Sequence, residues 1–339
     1  MKHTKVTISM GLMVFLSTVV LASGCVPQLE GVVVAVTATP SPLPPTTTPL
    51  PTTPIELYRT DLDGYQSRLA RDVSYVPDGN SYQKLDVYLP TEGKGPFPTV
   101  LAIHGGCFQG GGKYSYFRYA SYFNKMGYAL VSIDYRLAPS FTYPTQVQDS
   151  FCALAWVYAN AATYGFDTER IIAMGDSAGG YLVAMLGTVD TPSLYMEGCP
   201  HTLPETNWIQ GIVPFYGIFD FTNTDGYPDS VHRCVVPYLG TTFSDAPTEL
   251  LTEASPMSWV DGSEPPFLLI HGLSDTYFPA SMSEDFAPAL EEVDAEVELL
   301  LIEGFQGSHG FITDQSLSSS GNVQSLEAIE TFCKIFFEE

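Results

Sequence analysis

Residues 170–186, RIIAMGDSAGGYLVAML, decide the fold. RIIAM (170–174) has the apolar, β-branched character of a buried strand, and YLVAML (181–186) reads as a buried helix. Between them GDSAGG (175–180) makes a tight strand-to-helix turn with Ser177 at its tip, the pattern of a nucleophile elbow. A serine on such a turn has a strained backbone, and the helix must pass close to the strand. Its neighbours therefore have to be small, and Gly175 and Gly179 meet that need. The helix N-terminus at Ala178 also favours negative charge developing beside the serine. GxSxG alone recurs by chance; the strand before it and the helix after it give it meaning here.

Working outward, apolar runs alternate with helix-length segments from residue 55 onward, and no internal repeat is visible. Residues 84–89 alternate as a half-buried strand, while 99–103, 129–133, 170–174, 209–214, 267–270 and 297–302 read as more continuously apolar strands. Continuous runs are expected where helices cover both faces of a mainly parallel sheet. Helices are predicted over 147–162, 178–186, 281–292 and 323–337. The fold class is α/β, with a mainly parallel central sheet and helices on both faces. Residues 217–265 lack this rhythm and read as an insertion near the carboxyl ends of the strands, where ligands of such sheets bind.

The strand at 99–103 ends in HGGCF (104–108). Glycines there let backbone N–H groups approach a substrate oxygen, so Gly105 and Gly106 join the N–H of Ala178 as the candidate oxyanion hole. His104 is expected to brace that loop rather than carry protons. The GGG at 110–112 reads as a plain turn.

A nucleophile elbow of this kind takes its partners in the chain order Ser, acid, His. Of six histidines, His3, His104, His201 and His232 precede any acid candidate, and His271 ends a strand. His309, in GSHGF, is left as the general base. The strand at 267–270 opens into HGLSDTYFP, which puts Asp275 in the loop at its carboxyl end as the acid. Glu303 is the runner-up, and Asp285 and Asp294 are weaker because they fall on or beside a helix.

HGG, DYRLAP (134–139), GDSAGG, IHGLSDTYFP and SHGF, in that order, resemble the hormone-sensitive-lipase-like carboxylesterases of the α/β-hydrolase fold. KLDVYLP (84–90) is similar to the opening of their carbohydrate-esterase relatives. The resemblance runs from about residue 74 to the end. It implies an ester hydrolase with Ser177, Asp275 and His309 as catalytic triad, and Gly105, Gly106 and Ala178 as oxyanion donors. Neither a metal nor an organic cofactor is implied. Short-chain or aromatic acyl esters, some of them on carbohydrate, are the expected substrates. A serine peptidase or arylformamidase on the same fold is the alternative, and a long-chain lipase a third. A non-catalytic surface binding protein would lack a triad or oxyanion residue, and none is lacking. Cys107 departs from the family pattern, standing where a third Gly is common, and no amino-terminal cap precedes HGG. Phe108, Tyr114, Tyr116, Phe117, Tyr119, Tyr122 and Phe123 crowd the next segment, either as core or as the wall of an ester pocket.

The chain of 339 residues has 14 Lys+Arg against 38 Asp+Glu and a net charge of -24. It has no positive field to hold phosphates, which argues against nucleic acid as a partner. An acidic surface also repels anionic lipid, so membrane attachment has to come from an anchor. Lys2, Lys5, an apolar run over 6–21 and the small residues Ala22, Ser23 and Gly24 read as a signal peptide over 1–24. LASGC resembles a bacterial lipobox with Cys25 as the lipid-bearing first mature residue, although Ala22 stands where Leu is usual. Residues 37–54 hold seven Pro and seven Thr and no charge, a spacer of roughly 55 Å at about 3.1 Å per residue. The expected organisation is a signal peptide (1–24), a lipid anchor with linker (25–54) and a catalytic domain (55–339) on an exported bacterial lipoprotein, at the cell surface or in the periplasm.

With Cys25 lipidated, Cys107, Cys152, Cys199, Cys234 and Cys333 remain, and an odd number leaves at least one thiol free. Cys199 and Cys234 share a segment and are the expected disulfide, with five buried thiols as the alternative. No CxxC or HExxH spacing suggests a metal site.

Overall fold

Along the central strands nearly every residue is buried, and successive side chains enter opposite layers, as a strand between two helical layers requires. The computed structural model describes residues 55–59, 65–304, 307–314 and 316–337. The expected signal peptide, lipid anchor on Cys25 and linker lie outside the described residues. Nine strands form one sheet among the described residues: β1 (Glu56–Arg59), β2 (Gln66–Ser74), β3 (Lys84–Leu89), β4 (Phe97–Ile103), β5 (Ala129–Ile133), β6 (Phe166–Asp176), β7 (Gly211–Phe215), β8 (Phe267–Gly272) and β9 (Val297–Ile302). Their spatial order is β1-β2-β3-β5-β4-β6-β7-β8-β9. The β1, β2, β3 and β5 pairings are antiparallel, and every pairing from β5 through β4 to β9 is parallel.

The helices are α1 (Phe117–Lys125), α2 (Thr145–Ala159), α3 (Ala161–Tyr164), α4 (Ala178–Thr188), α5 (Asp229–Leu239), α6 (Thr248–Glu253), α7 (Ser281–Glu291), α8 (Phe311–Asp314) and α9 (Ser320–Phe337). Leu101, Ile103, Ile171, Ala173 and Leu269 point into the layer of α2, α4 and α7. Val100, Ala102, Ile172, Met174 and Leu268 point into the layer of α1 and α9, against Tyr119, Phe123, Ile329 and Phe332. Fully burying one such side chain contributes roughly 1.5–3 kcal/mol, so the alternation fixes the register of the whole sheet.

The sequence pattern locates β3 to β9 and the helices α2, α4, α7 and α9 to within a few residues. It overlooks β2, whose alternation is broken by Arg68, Arg71 and Asp72, and α1, whose FRYASYFNK is rich in aromatics rather than strong helix formers. The insertion holds α5 and α6.

The expected Cys199–Cys234 disulfide is not formed. Cys107 pairs with Cys234 and Cys152 with Cys199, leaving Cys333 a buried free thiol. Closeness in sequence misled because α5 carries Cys234 to the loop after β4, a Cα–Cα distance of 4.5 Å from Cys107. Among the described residues no helix is long and apolar enough to cross a membrane.

Candidate active site

β6 ends at Asp176, and Ser177 adopts φ 54°, ψ −116° before α4 begins. The Ser177 N–H donates to the Phe215 carbonyl at 2.9 Å, which ties the turn to β7. A Cβ at Gly179 would stand 2.0 Å from the Ile103 carbonyl oxygen, and one at Gly175 2.3 Å from the Gly179 carbonyl oxygen. These glycines are therefore obligatory for the turn, as its sequence indicated.

β8 ends at His271 and Gly272, and the following loop turns Asp275 back toward the strand end. Asp275 Oδ1 accepts the N–H groups of Tyr277 and Phe278 at 2.8 and 2.9 Å. Its Oδ2 accepts the His309 Nδ1–H at 2.6 Å, and His309 Nε2 lies 3.0 Å from Ser177 Oγ. A carboxylate cannot donate, so the proton sits on Nδ1 and the free Nε2 accepts the serine hydroxyl. Ser177, His309 and Asp275 thus form one hydrogen-bonded row. Burial alone would raise the Asp275 carboxyl, but the nearby His271 ring and hydrogen bonds from His309 and the Phe278 N–H outweigh it and hold the group at about 2. Glu303, Asp285 and Asp294 are exposed on the surface.

His271, read only as a strand end, supports the acid. It is fully buried, with Nδ1 2.8 Å from Ser283 Oγ, Nε2 2.9 Å from the Phe278 carbonyl, and Nε2 3.6 Å from Asp275 Oδ2. The four-residue spacing from Asp275 was its only mark in the sequence. Gly272 and Gly307 bring the two loops together, since a Cβ at Gly272 would stand 1.8 Å from the Gly307 carbonyl oxygen. From the opposite side the Arg118 guanidinium donates to the Thr313 carbonyl and the Tyr119 hydroxyl to the Ile312 carbonyl, which fixes the segment carrying His309 to α1.

Gly105 requires a correction. Its N–H donates to Asp176 Oδ1 at 3.0 Å and is spent inside the protein. The buried Asp176 carboxyl, raised by desolvation, also accepts from the Tyr116 hydroxyl at 2.8 Å. Gly105 is small because that carboxylate presses on it: a Cβ would stand 2.5 Å from Oδ2. Among the described residues the N–H groups of Gly106, Cys107 and Ala178 have no acceptor, and Gly106 and Cys107 line the same cleft as Ser177. Gly106 and Cys107 thus present their N–H groups at the cleft, and the unpaired N–H of the buried Ala178 follows Ser177 directly in the chain.

His104 is buried, stacked on Tyr135 with centroids 4.3 Å apart, and donates from Nδ1 to the Gly105 carbonyl at 2.7 Å. Burial pushes it down to about 4, so it stays neutral and braces the loop. DYRLAP completes the brace. The Tyr135 hydroxyl donates to the His104 carbonyl at 2.9 Å, the Ala138 N–H donates to the Phe108 carbonyl at 2.8 Å, and Arg136 forks onto the buried Asp149 of α2. Gly111 is also more than a turn residue, since a Cβ there would stand 2.5 Å from both the Gly105 carbonyl oxygen and His104 Nδ1.

The cleft has a volume of about 670 Å³. Tyr114, Phe117, Arg118, Tyr277 and Thr313 wall it around Ser177 and His309. The aromatic segment divides: Tyr116, Tyr119 and Phe123 are core, Phe108 is buried behind the loop, Tyr122 packs at the core edge, and Tyr114 and Phe117 are exposed at the cleft.

Residues 85–290, more than half of the chain, match the BD-FAE family. The chain belongs to the BD-FAE family. Curated proteins similar to this BD-FAE member include the probable carboxylic ester hydrolase LipM of Mycobacterium tuberculosis, 29% identical over 66% of this chain and 52% of the relative. Esterase LipQ of the same organism is 31% identical over 66% and 53%. The chain spans about half the length of these curated relatives. Among solved structures, esterase B of Lactobacillus rhamnosis aligns with a TM-score of 0.69 at 21% identity, over 80% of this chain and 88% of that one. A bifunctional GH43-CE protein of Bacteroides eggerthii aligns at 0.65 and 23% identity, over 79% and 38%. Both share the α/β-hydrolase fold with this chain.

Proposed function

We propose that this BD-FAE member is a serine hydrolase of carboxylic esters that works through an acyl-enzyme. The observation that carries the reading is the row Ser177 Oγ, His309 Nε2, His309 Nδ1, Asp275 Oδ2, with links of 3.0 and 2.6 Å. In the first step His309 Nε2 takes the Ser177 proton as Oγ attacks the ester carbonyl. The carbonyl oxygen becomes an oxyanion held by the N–H groups of Gly106, Cys107 and Ala178, at the N-terminus of α4. Asp275 stays ionised, keeps the imidazole in the required tautomer and stabilises its positive charge. His309 then gives the proton to the leaving alkoxide. Water, deprotonated by the same nitrogen, attacks the acyl-enzyme, and the acid and free Ser177 are released.

The wall supports a reading of the substrate class. Tyr114, Phe117 and Tyr277 offer apolar and stacking surface, which suits short acyl or aromatic acyl groups on a polyol or carbohydrate. Curated relatives named ester hydrolases and fold neighbours named carbohydrate esterases support this direction. The test is a panel of p-nitrophenyl acetate, longer acyl esters, a feruloyl ester, an acetylated sugar and an aminoacyl amide. Turnover is expected on the acetyl and feruloyl esters and lost in Ser177→Ala. Preference for the amide would favour the peptidase reading, and turnover that survives in Ser177→Ala would remove the mechanism.

The enzyme is further proposed to be an exported lipoprotein held to a membrane through Cys25, with residues 37–54 as spacer. The basic, apolar and small-residue order before Cys25 supports this. Metabolic labelling with an alkyne fatty acid should mark the wild type and not Cys25→Ser; equal labelling of both would exclude the anchor.

A further inference from the structure

Three consecutive residues of the oxyanion loop are held by one helix of the insertion. Cys107 is disulfide-bonded to Cys234 of α5, 127 residues downstream. The Phe108 ring stacks on Tyr238 of the same helix with centroids 3.9 Å apart. The Gln109 side-chain amide donates to the Arg233 carbonyl at 3.0 Å. The loop needs such support. Gly106 has φ 111°, which glycine tolerates, but Cys107 and Phe108 follow at φ 54° and 60°. An L side chain in that region is disfavoured by about tenfold per residue, a cost that the turn bonds from the Gln109 and Gly110 N–H groups to the Gly106 carbonyl have to offset together with contacts from outside the loop. Tyr135 and Ala138 brace one side of the loop, and residues 233, 234 and 238 hold the three residues that follow Gly106 from the other. Cys234 and Tyr238 are fully buried and do not line the cleft.

We propose that α5 is the template of the oxyanion hole. The Cys107–Cys234 crosslink and the Phe108–Tyr238 stack keep the Gly106 and Cys107 N–H groups aimed at the position where the oxyanion forms. Cys234 and Tyr238 are thereby positioning residues for the transition state, acting through the loop rather than on the substrate. The inference rests on the serine-hydrolase reading above, and it gives the insertion between β7 and β8 a part in the chemistry.

The test is Cys234→Ser, with folding checked by near-ultraviolet circular dichroism. The folded variant is expected to lose about 10- to 100-fold in kcat while KM changes less than threefold, because a misaimed donor weakens transition-state binding and leaves substrate binding alone. The Ki of a trifluoromethyl ketone, which binds Ser177 as a tetrahedral adduct, should rise in step with the loss in kcat. Adding Cys107→Gly to Cys234→Ser should restore a substantial part of the rate, because glycine takes the same φ without a Cβ. A folded Cys234→Ser enzyme with kcat and ketone affinity within twofold of wild type would overturn the proposal, even if its melting temperature fell. Should Cys234→Ser not fold, two double variants decide. Cys107→Gly/Cys234→Ala is expected at least about fivefold faster than Cys107→Ala/Cys234→Ala, and equal rates overturn the proposal. A wild type without ester turnover removes the underlying reading as well, whereas an active wild type beside an indifferent Cys234→Ser removes this inference alone.

Discussion

Replacing Asp275 with Asn should silence the enzyme while leaving its fold intact. Oδ1 of Asp275 accepts two backbone N–H groups, from Tyr277 at 2.8 Å and Phe278 at 2.9 Å. Only an oxygen can stay there, so the introduced amide has to turn its NH2 toward His309. That NH2 donates where Oδ2 accepted at 2.6 Å, and His309 must answer with an unprotonated Nδ1. The ring proton then moves to Nε2, the nitrogen 3.0 Å from Ser177 Oγ, which can no longer take the serine proton. A wrong-tautomer histidine in a Ser–His–Asp site lowers kcat by about 10⁴, which is about 5.5 kcal/mol of barrier. Asp275→Asn should lose only the roughly 2 kcal/mol that the ionised carboxylate contributes above pH 4, whereas Asp275→Ala also leaves the Tyr277 and Phe278 N–H groups without their acceptor and should cost about 1–3 kcal/mol more for each. Initial rates on p-nitrophenyl acetate and urea unfolding of both variants separate the two effects. An Asp275→Asn enzyme within tenfold of wild-type kcat would refute the reasoning and reopen Glu303 as the acid.

Three further outcomes follow from the same contacts. Gly179→Ala should cost about 3 kcal/mol in chemical denaturation and most of the activity, because its Cβ would meet the Ile103 backbone at 2.0 Å; Gly198→Ala, with φ 76° and open space around it, should cost only about 1 kcal/mol, and equal losses would contradict the close-approach argument. Asp275 is held at about 2 against an ordinary value of 3.8, so protons bind the unfolded chain first, and a stabilisation of roughly 2 kcal/mol present above pH 4 should fade as pH falls toward 2. The gap in unfolding free energy between wild type and Asp275→Asn should narrow by about that amount over this window; a gap independent of pH would count against the depressed carboxyl. Removing the Cys152–Cys199 disulfide, which closes a loop of 47 residues, should lower stability by about 4 kcal/mol with kcat unchanged, in contrast to Cys107–Cys234, and a fall in kcat of the folded protein would contradict that division of roles.

What was legible in the sequence is what backbone geometry enforces locally. The elbow could be read because a serine at φ 54° with the Ile103 carbonyl 2.0 Å from the Cβ that Gly179 lacks admits few residue types, and those types are written out as GDSAGG. The chain order of an α/β sheet then singled out His309 and Asp275, and the structure brings both to Ser177. The oxyanion loop was legible only as a place. That Gly105 gives its N–H to Asp176 depends on a side chain 71 residues away, which no local pattern records. The disulfides were hidden for the same reason, since Cα distances do not follow from spacing along the chain. His271 escaped notice because a buried histidine at a strand end looks like core until Asp275 is seen 3.6 Å from its ring. The antiparallel edge was missed because charges on β2 mask its alternation, and α1 because its aromatic content outweighs its period.

Ser177, as a nucleophile activated by His309 and Asp275, can be trapped covalently. The full chain is treated with a fluorophosphonate, and the modified peptide is mapped by mass spectrometry. A single stoichiometric adduct is expected on Ser177, absent from Ser177→Ala and strongly slowed in His309→Ala and Asp275→Asn. Labelling of Ser177→Ala to the same extent as wild type, or a wild type that stays unlabelled while folded, would contradict it.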